Sequence, residues 1–244
     1  MTLAGRVALV SGGSRGIGRA IAEELVGRGA AVAVAARTAS DAGGVMGIPT
    51  DITDYAAVQA FMARAESELG PPDIVVNNAA VSPLGLVEHA DPADWRRTIE
   101  TNLLGTIHVT RAALDRMLPR RTGHVVNITS DSSRLPRPYL ATYCATKAAV
   151  NALTDAIRHE VSERGIRVSL VEVGGTRDTG FSDGWSGELF MEARAAWEQR
   201  GMGLSGPPLV PADIARAVAF VVDQPPGVGV DEIVVRPTLP SPNS

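Results

Sequence analysis

An α/β fold, with a parallel sheet whose strands are joined by crossover helices, is predicted by three observations. Short β-branched runs alternate with longer segments of helical period along the chain. Most of the short runs are continuously apolar, as strands covered on both faces must be. The first of them leads directly into a glycine cluster and then a helical segment, a strand-turn-helix arrangement. The 244 residues fit one domain, residues 1–244, because single α/β domains run to about 250 residues before splitting.

Taken in order, the strand candidates are Val7–Val10, Val32–Ala35, Val45–Ile48, Ile74–Asn77, His124–Thr129, Ile166–Val171 and Ile233–Arg236. The helix candidates are Gly16–Arg28, Tyr55–Leu69, Ala93–Met117, Leu140–Ser162, Glu188–Arg200 and Pro211–Val222, with Pro211 suited to a first helical turn. Between the second and third strands only Ala36 to Gly44 remain, rich in small and turn-forming residues, so that crossover is expected to be an irregular loop. Pro237–Ser244, with three prolines, reads as an extended tail.

Composition narrows the function classes. Hydrophobic residues at 45%, charged residues at 20% and a net charge of -4 describe an ordinary globular protein without the basic footprint of a nucleic-acid binder. The single cysteine, Cys144, excludes an intrachain disulfide, and the scattered His89, His108, His124 and His159 lack metal-ligand spacing. Cys144 is expected to be a small buried helix residue. No stretch approaches the roughly 18 apolar residues of a membrane span, and the run Arg6–Val10 is too short for a signal-peptide core. The expected setting is a reducing cytoplasm.

Chemistry is concentrated in a few motifs. Gly12, Gly16 and Gly18 in Ser11-Gly-Gly-Ser-Arg-Gly-Ile-Gly18 let the backbone turn tightly and aim helix N-terminal N–H groups at a pyrophosphate. Their Gly-x-x-x-Gly-x-Gly spacing differs from the commoner dinucleotide fingerprint. At the end of the second strand, where an acidic residue selects NAD by binding ribose hydroxyls, the chain reads Ala35-Ala36-Arg37-Thr38. Arg37 and Arg15 are instead suited to the extra phosphate of NADP. Asp51-Ile52 and Asn77-Asn78-Ala79 follow the third and fourth strands, at the carboxyl edge where open α/β sheets bind ligands; Asn78 is also a candidate strand tie. Tyr143 and Lys147, four residues apart on a helix, share one face, and an ammonium beside a phenol favours the phenolate.

Together these motifs resemble the short-chain dehydrogenase/reductase family from about residue 5 to residue 236. The resemblance rests on Gly12-x-x-x-Gly16-Ile-Gly18, Asn77-Asn78-Ala79, Asn102 in Thr-Asn-Leu-Leu-Gly, Ser130 closing Asn-Ile-Thr-Ser, and Tyr143-x-x-x-Lys147. It implies a Rossmann-type doubly wound parallel sheet of about seven strands, helices on both faces, and hydride transfer between NADP(H) and a carbonyl or secondary alcohol. By the same resemblance Tyr143 is the general acid, Ser130 bonds the substrate oxygen, Lys147 holds the nicotinamide ribose and shifts Tyr143, and Asn102 anchors a proton-relay water. The implied cofactor contacts are Gly12, Ser14, Arg15, Gly16, Ile17, Gly18, Arg37, Thr38, Asp51, Ile52, Asn78, Ala79, Tyr143, Lys147, Gly174 and Thr179. Family members associate as homodimers or homotetramers through two long helices, here Ala93–Met117 and Leu140–Ser162.

Three positions depart from the family pattern. Ser11 stands for threonine, Ala80 for the glycine after Asn-Asn-Ala, and Glu172-Val-Gly-Gly-Thr-Arg-Asp-Thr179 for a Pro-Gly sequence followed by threonine, where Thr179 is preferred to Thr176 for the carboxamide contact. Residues 179–208 hold Phe181, Trp185, Phe190 and Trp197, four of the ten aromatic residues, and read as an apolar lid for a hydrophobic substrate. Leu135 through Tyr139 is the expected opposite wall, and Arg134 and Arg137 are expected to be solvated. Two other readings stand beside the reductase: a net non-redox enzyme on the same scaffold (epimerase, dehydratase or cyclase), and an NADP-sensing binding protein.

Overall fold

The computed structural model describes residues 2–203 and 206–238. The tail beyond Thr238 and residues 204 and 205 of the expected lid lie outside the described residues. Seven strands form one sheet: β1 Val7–Ser11, β2 Ala31–Ala36, β3 Val45–Pro49, β4 Ile74–Asn77, β5 Gly123–Ser130, β6 Ile166–Val173 and β7 Glu232–Val235. They are ordered β3-β2-β1-β4-β5-β6-β7, and every pairing is parallel. The order reverses between β1 and β4, so the chain leaves those adjacent strands toward opposite sides and opens a crevice at their carboxyl ends.

Side-chain alternation along the strands builds two cores. Ala8, Val10, Val32, Val34, Ile74 and Val76 face α1 (Gly16–Gly27) and, late in the chain, the helix Pro211–Val222. Val7, Leu9, Ala33, Ala35 and Val75 face the opposite layer, which includes α2 (Tyr55–Leu69). Asp54 starts α2 by accepting hydrogen bonds from the Ala56 and Ala57 amides at 2.8 and 3.3 Å. No helix joins β2 to β3: residues 37–44 form the expected loop, pinned where Asp41 Oδ1 accepts from the Gly47 amide at 2.8 Å.

The predicted helix Ala93–Met117 is corrected by the structure. It consists of α3 (Pro92–Ile99), a π-helical turn over Glu100–Leu104, and α4 (Gly105–Met117). Asp91 caps α3, and Pro92 fills its first turn. The wider turn centres on Asn102, whose amide is held from outside the helix: Oδ1 accepts from the Val81 amide at 2.8 Å, and Nδ2 donates to the Val81 carbonyl at 2.9 Å. Hydrophobic periodicity cannot register one extra residue in a turn. The remaining helices are α5 (Ala141–Val161), α6 (Gly187–Gln199) and α7 (Pro211–Val222), and β7 begins and ends one residue before the predicted Ile233–Arg236. No helix among the described residues is long and apolar enough to cross a membrane.

Candidate active site

The carboxyl ends of β1 and β4 are tied by the residues that the motifs singled out. Ser11 Oγ accepts from the Asn78 amide at 3.1 Å and the Ala79 amide at 3.3 Å, so the hydroxyl retained at this position keeps its bonding role. Asn78 Nδ2 donates to the Ser11 and Gly12 carbonyls at 3.1 and 3.2 Å, which makes it the strand tie that was an open alternative. Gly12 has φ 68°, and a Cβ there would lie 2.7 Å from Ala79 Cα. Gly16, φ 56°, would strike the Thr179 carbonyl, and Gly18 the Gly12 carbonyl. Larger side chains at these three positions would fill the cradle at the start of α1. Arg15, the residue before α1, gives it no side-chain cap, and its first turn carries no acidic residue, so its leading N–H groups suit an anion.

Thr179, rather than Thr176, lies over this loop; Thr176 Oγ1 donates to the Gly174 carbonyl at 2.9 Å. Arg37 is exposed at the end of β2. The Asp51 carboxyl is held below its ordinary value mainly by hydrogen bonds from the Thr53 amide and hydroxyl, at 2.9 and 2.8 Å, with Arg37 adding to the effect. Arg15 forms an ion pair with Asp183, across from the glycine loop, and Gly180 lies against its guanidinium. Ile52 is buried against Gly105, and its carbonyl meets His108 Nδ1 at 3.0 Å.

Tyr143 and Lys147 lie one turn apart on α5, both buried at 8% and 5% exposure. Lys147 Nζ donates to the Ile128 carbonyl at 2.9 Å and stands 5.8 Å from the Tyr143 ring centroid. Burial lowers the Lys147 pKa from 10.5 to about 8. The expectation that Lys147 pulls the Tyr143 phenol down is not met in the protein itself: burial dominates and pushes the phenol up, while a hydrogen bond with Ser130 works the other way. Tyr143 is therefore held as a neutral phenol. Ser130 ends β5, donates to Asp131 Oδ1 at 3.2 Å and accepts from the Ser132 amide at 3.2 Å. Asn102 Nδ2 also donates to Thr146 Oγ1 at 3.2 Å, linking the π-helical turn, the loop after β4 and α5.

Two arginines expected to be solvated are engaged. Arg137 is 9% exposed and grips Asp131 with a two-pronged fork, both bonds 2.9 Å, next to Ser130. Arg134 bonds the buried Glu172 at 2.6 Å and pairs with Glu232. Nothing in a local pattern marks such pairs, because Asp131 and Arg137 meet only when the chain bends after β5. Burial also raises the Cys144 thiol, whose sulfur accepts from the Arg137 amide at 3.5 Å, as suits a packed helix residue.

The segment after β6 covers Tyr143. Phe181 packs edge-on against the Tyr143 ring with centroids 5.0 Å apart, and Phe181, Trp185, Phe190 and Trp197 continue as a chain of ring contacts. Trp185 Nε1 donates to the Ser82 carbonyl at 2.6 Å, and Trp197 Nε1 to the Pro138 carbonyl at 2.8 Å. Beside Tyr143, between residues 83–98, 139–143 and α6, is a cavity of about 280 Å³. No cluster of three or more His, Cys, Asp or Glu residues that could hold a metal occurs among the described residues.

A family model described as short chain dehydrogenase matches residues 6–188. The glycine betaine reductase ATRR of Emericella nidulans is 34% identical over 247 residues, covering 96% of this chain, which spans only 19% of that relative. The 2,3-dihydro-2,3-dihydroxybenzoate dehydrogenase of Bacillus subtilis is 31% identical over 232 residues, covering 89% of each. Among solved structures, the closed form of a serine dehydrogenase complexed with NADP+ superposes with a TM-score of 0.84 at 26% identity, covering 95% of this chain and 94% of the other. The comparisons agree with the strand order and the motif spacing: this chain belongs to the short-chain dehydrogenase/reductase family and is an oxidoreductase of that family.

Proposed function

We propose that the protein is an NADP(H)-dependent oxidoreductase that interconverts a carbonyl and a secondary alcohol on a small, mainly apolar molecule. The observation that carries this reading is the neutral, buried Tyr143 hydrogen-bonded to Ser130 and one helical turn from Lys147, beside the glycine cradle. The cradle fits a dinucleotide: Gly12, Ser14, Gly16, Ile17 and Gly18 line the turn into the uncapped α1, and Asp51, Ile52, Asn78, Ala79, Gly174 and Thr179 edge the same crevice. Arg15, Arg37 and Thr38 would hold the phosphate that distinguishes NADP, which the solved serine dehydrogenase binds.

The bound nicotinamide would supply the hydride. When a carbonyl is reduced, negative charge grows on its oxygen, and the Ser130 and Tyr143 hydroxyls stabilise it as two donors. Tyr143, kept protonated by burial, gives its proton to that oxygen. Lys147 uses one N–H on Ile128, which leaves donors for ribose hydroxyls, and Asn102, its side chain bonded to Val81 and Thr146, holds the Val81 loop and α5 in register, with a relay water proposed beside it. Residues 179–208 act as the lid, with Phe181 and Trp185 excluding water from the reacting oxygen.

The test is a panel of ketones and alcohols followed by absorbance with NADPH, NADP and NADH. Consumption of NADPH in step with product, with NADH much poorer and Arg37→Ala erasing most of that preference, is the expected result. Product formed without loss of NADPH would overturn the redox reading, and a preference for NADH would overturn the roles of Arg15 and Arg37.

A further inference from the structure

We propose that the cavity beside Tyr143 takes a small carbonyl compound whose far end carries an ammonium or quaternary ammonium group, and disfavours the matching carboxylate. This rests on the reading that carbonyl reduction occurs at Tyr143, and it names the charge of the substrate. The cavity, about 280 Å³, is bounded at its inner end by Tyr143 and Leu140, and its walls include Leu84, Leu86, Leu189 and Trp95. Its size suits a compact molecule. The remaining charged lining is acidic: Asp91, Asp94 and Glu192, with no lysine or arginine among the described lining residues. His89 also borders the space, but its side chain is 76% exposed and lies 3.5 Å from Glu88.

The three carboxylates differ in how they are engaged. Asp91 Oδ1 accepts from the Ala93 amide at 2.8 Å, and Asp94 pairs with Arg97 at 2.9 Å. The Glu192 carboxylate has no partner among the described residues. An N-cap bond leaves the Asp91 charge in place, and Asp91 and Glu192, both exposed, bias the cavity against anions through a field that solvent and salt screen. Trp95 among carboxylates and apolar walls suits a cation whose charge lies beneath methyl groups, because an aromatic ring and nearby carboxylates offset part of the cost of taking that charge out of water. The wall is also preset. Tyr139 holds φ 68°, unusual for a residue with a side chain, and its carbonyl accepts from the Gly85 amide at 2.9 Å, clipping the two sides of the cavity together.

The experiment measures equilibrium binding by calorimetry of three straight-chain methyl ketones of equal length, ending in trimethylammonium, hydroxyl or carboxylate, to the protein with NADP. The expected order is ammonium, hydroxyl, carboxylate, with about a tenfold span between the extremes that narrows as salt rises. Exchanging Asp91→Asn together with Glu192→Gln removes two charges, keeps their shapes and retains a capping side chain, and should shrink the span to about twofold. Equal binding of ammonium and carboxylate ketones, an unchanged span in the double variant, or failure of all three to bind would overturn the proposal. Turnover is read separately. A cationic ketone that binds preferentially but is never reduced refutes the hydride-transfer reading alone, whereas reduction without charge preference refutes only the present inference.

Discussion

Burial sets the chemistry of the residues around Tyr143. A phenol kept from water stays protonated, which suits the proton donor to a nascent alkoxide proposed for Tyr143. The same burial penalises the Lys147 ammonium, and that has a measurable linkage. The native chain releases this proton near pH 8, the unfolded chain near the ordinary 10.5. Between those values the unfolded state binds the extra proton, so the contribution of this group to stability rises with pH; below about 8 its cost is fully present. Lys147→Met should therefore raise the melting temperature relative to the wild type at neutral pH by an amount that shrinks as pH climbs from 8 toward 10.5. A difference independent of pH would contradict the buried ammonium. That Tyr143 and Lys147 share one helix face was legible from their spacing, but the direction of the Tyr143 shift was not. Four-residue spacing reports that two groups share a face and says nothing of how much water is excluded from them.

At the scale of elements, the strands and the irregular β2–β3 crossover could be read because apolar runs and turn residues act locally. The π-helical turn at Asn102 and the Arg137–Asp131 fork could not, because each is held by partners remote in sequence or brought together by a bend. The aromatic segment after β6 is intermediate. Its aromatic enrichment was visible, yet its anchors, the Trp185 bond to Ser82 and the Trp197 bond to Pro138, span 103 and 59 residues. Trp185→Phe keeps the ring contacts and deletes one donor, which should destabilise the fold by about 1 kcal/mol and hasten proteolytic cleavage within residues 179–203. An unchanged cleavage rate would mean that the segment is not held through this bond.

For the whole molecule, the parallel sheet explains why residues from β1, β4, β5, α5 and the segment after β6 converge: all lie at its carboxyl edge, at or near the reversal of strand order. The outer helical layer leaves Ile99, Leu104 and Ile107 exposed at 43%, 43% and 36%, along α3, the π-helical turn and α4, the stretch through which the family resemblance implies association. A homodimer or homotetramer is the predicted state, checked by light scattering, and Leu104→Lys should shift it toward monomer; a monomeric wild type would contradict this. The central claim is that Tyr143 donates the proton in NADPH-dependent reduction. Its most direct test is turnover of a reducible ketone by Tyr143→Phe, alongside NADPH binding. The predicted result is a kcat lower by about a hundred- to ten-thousandfold with NADPH affinity retained, and undiminished turnover would contradict it.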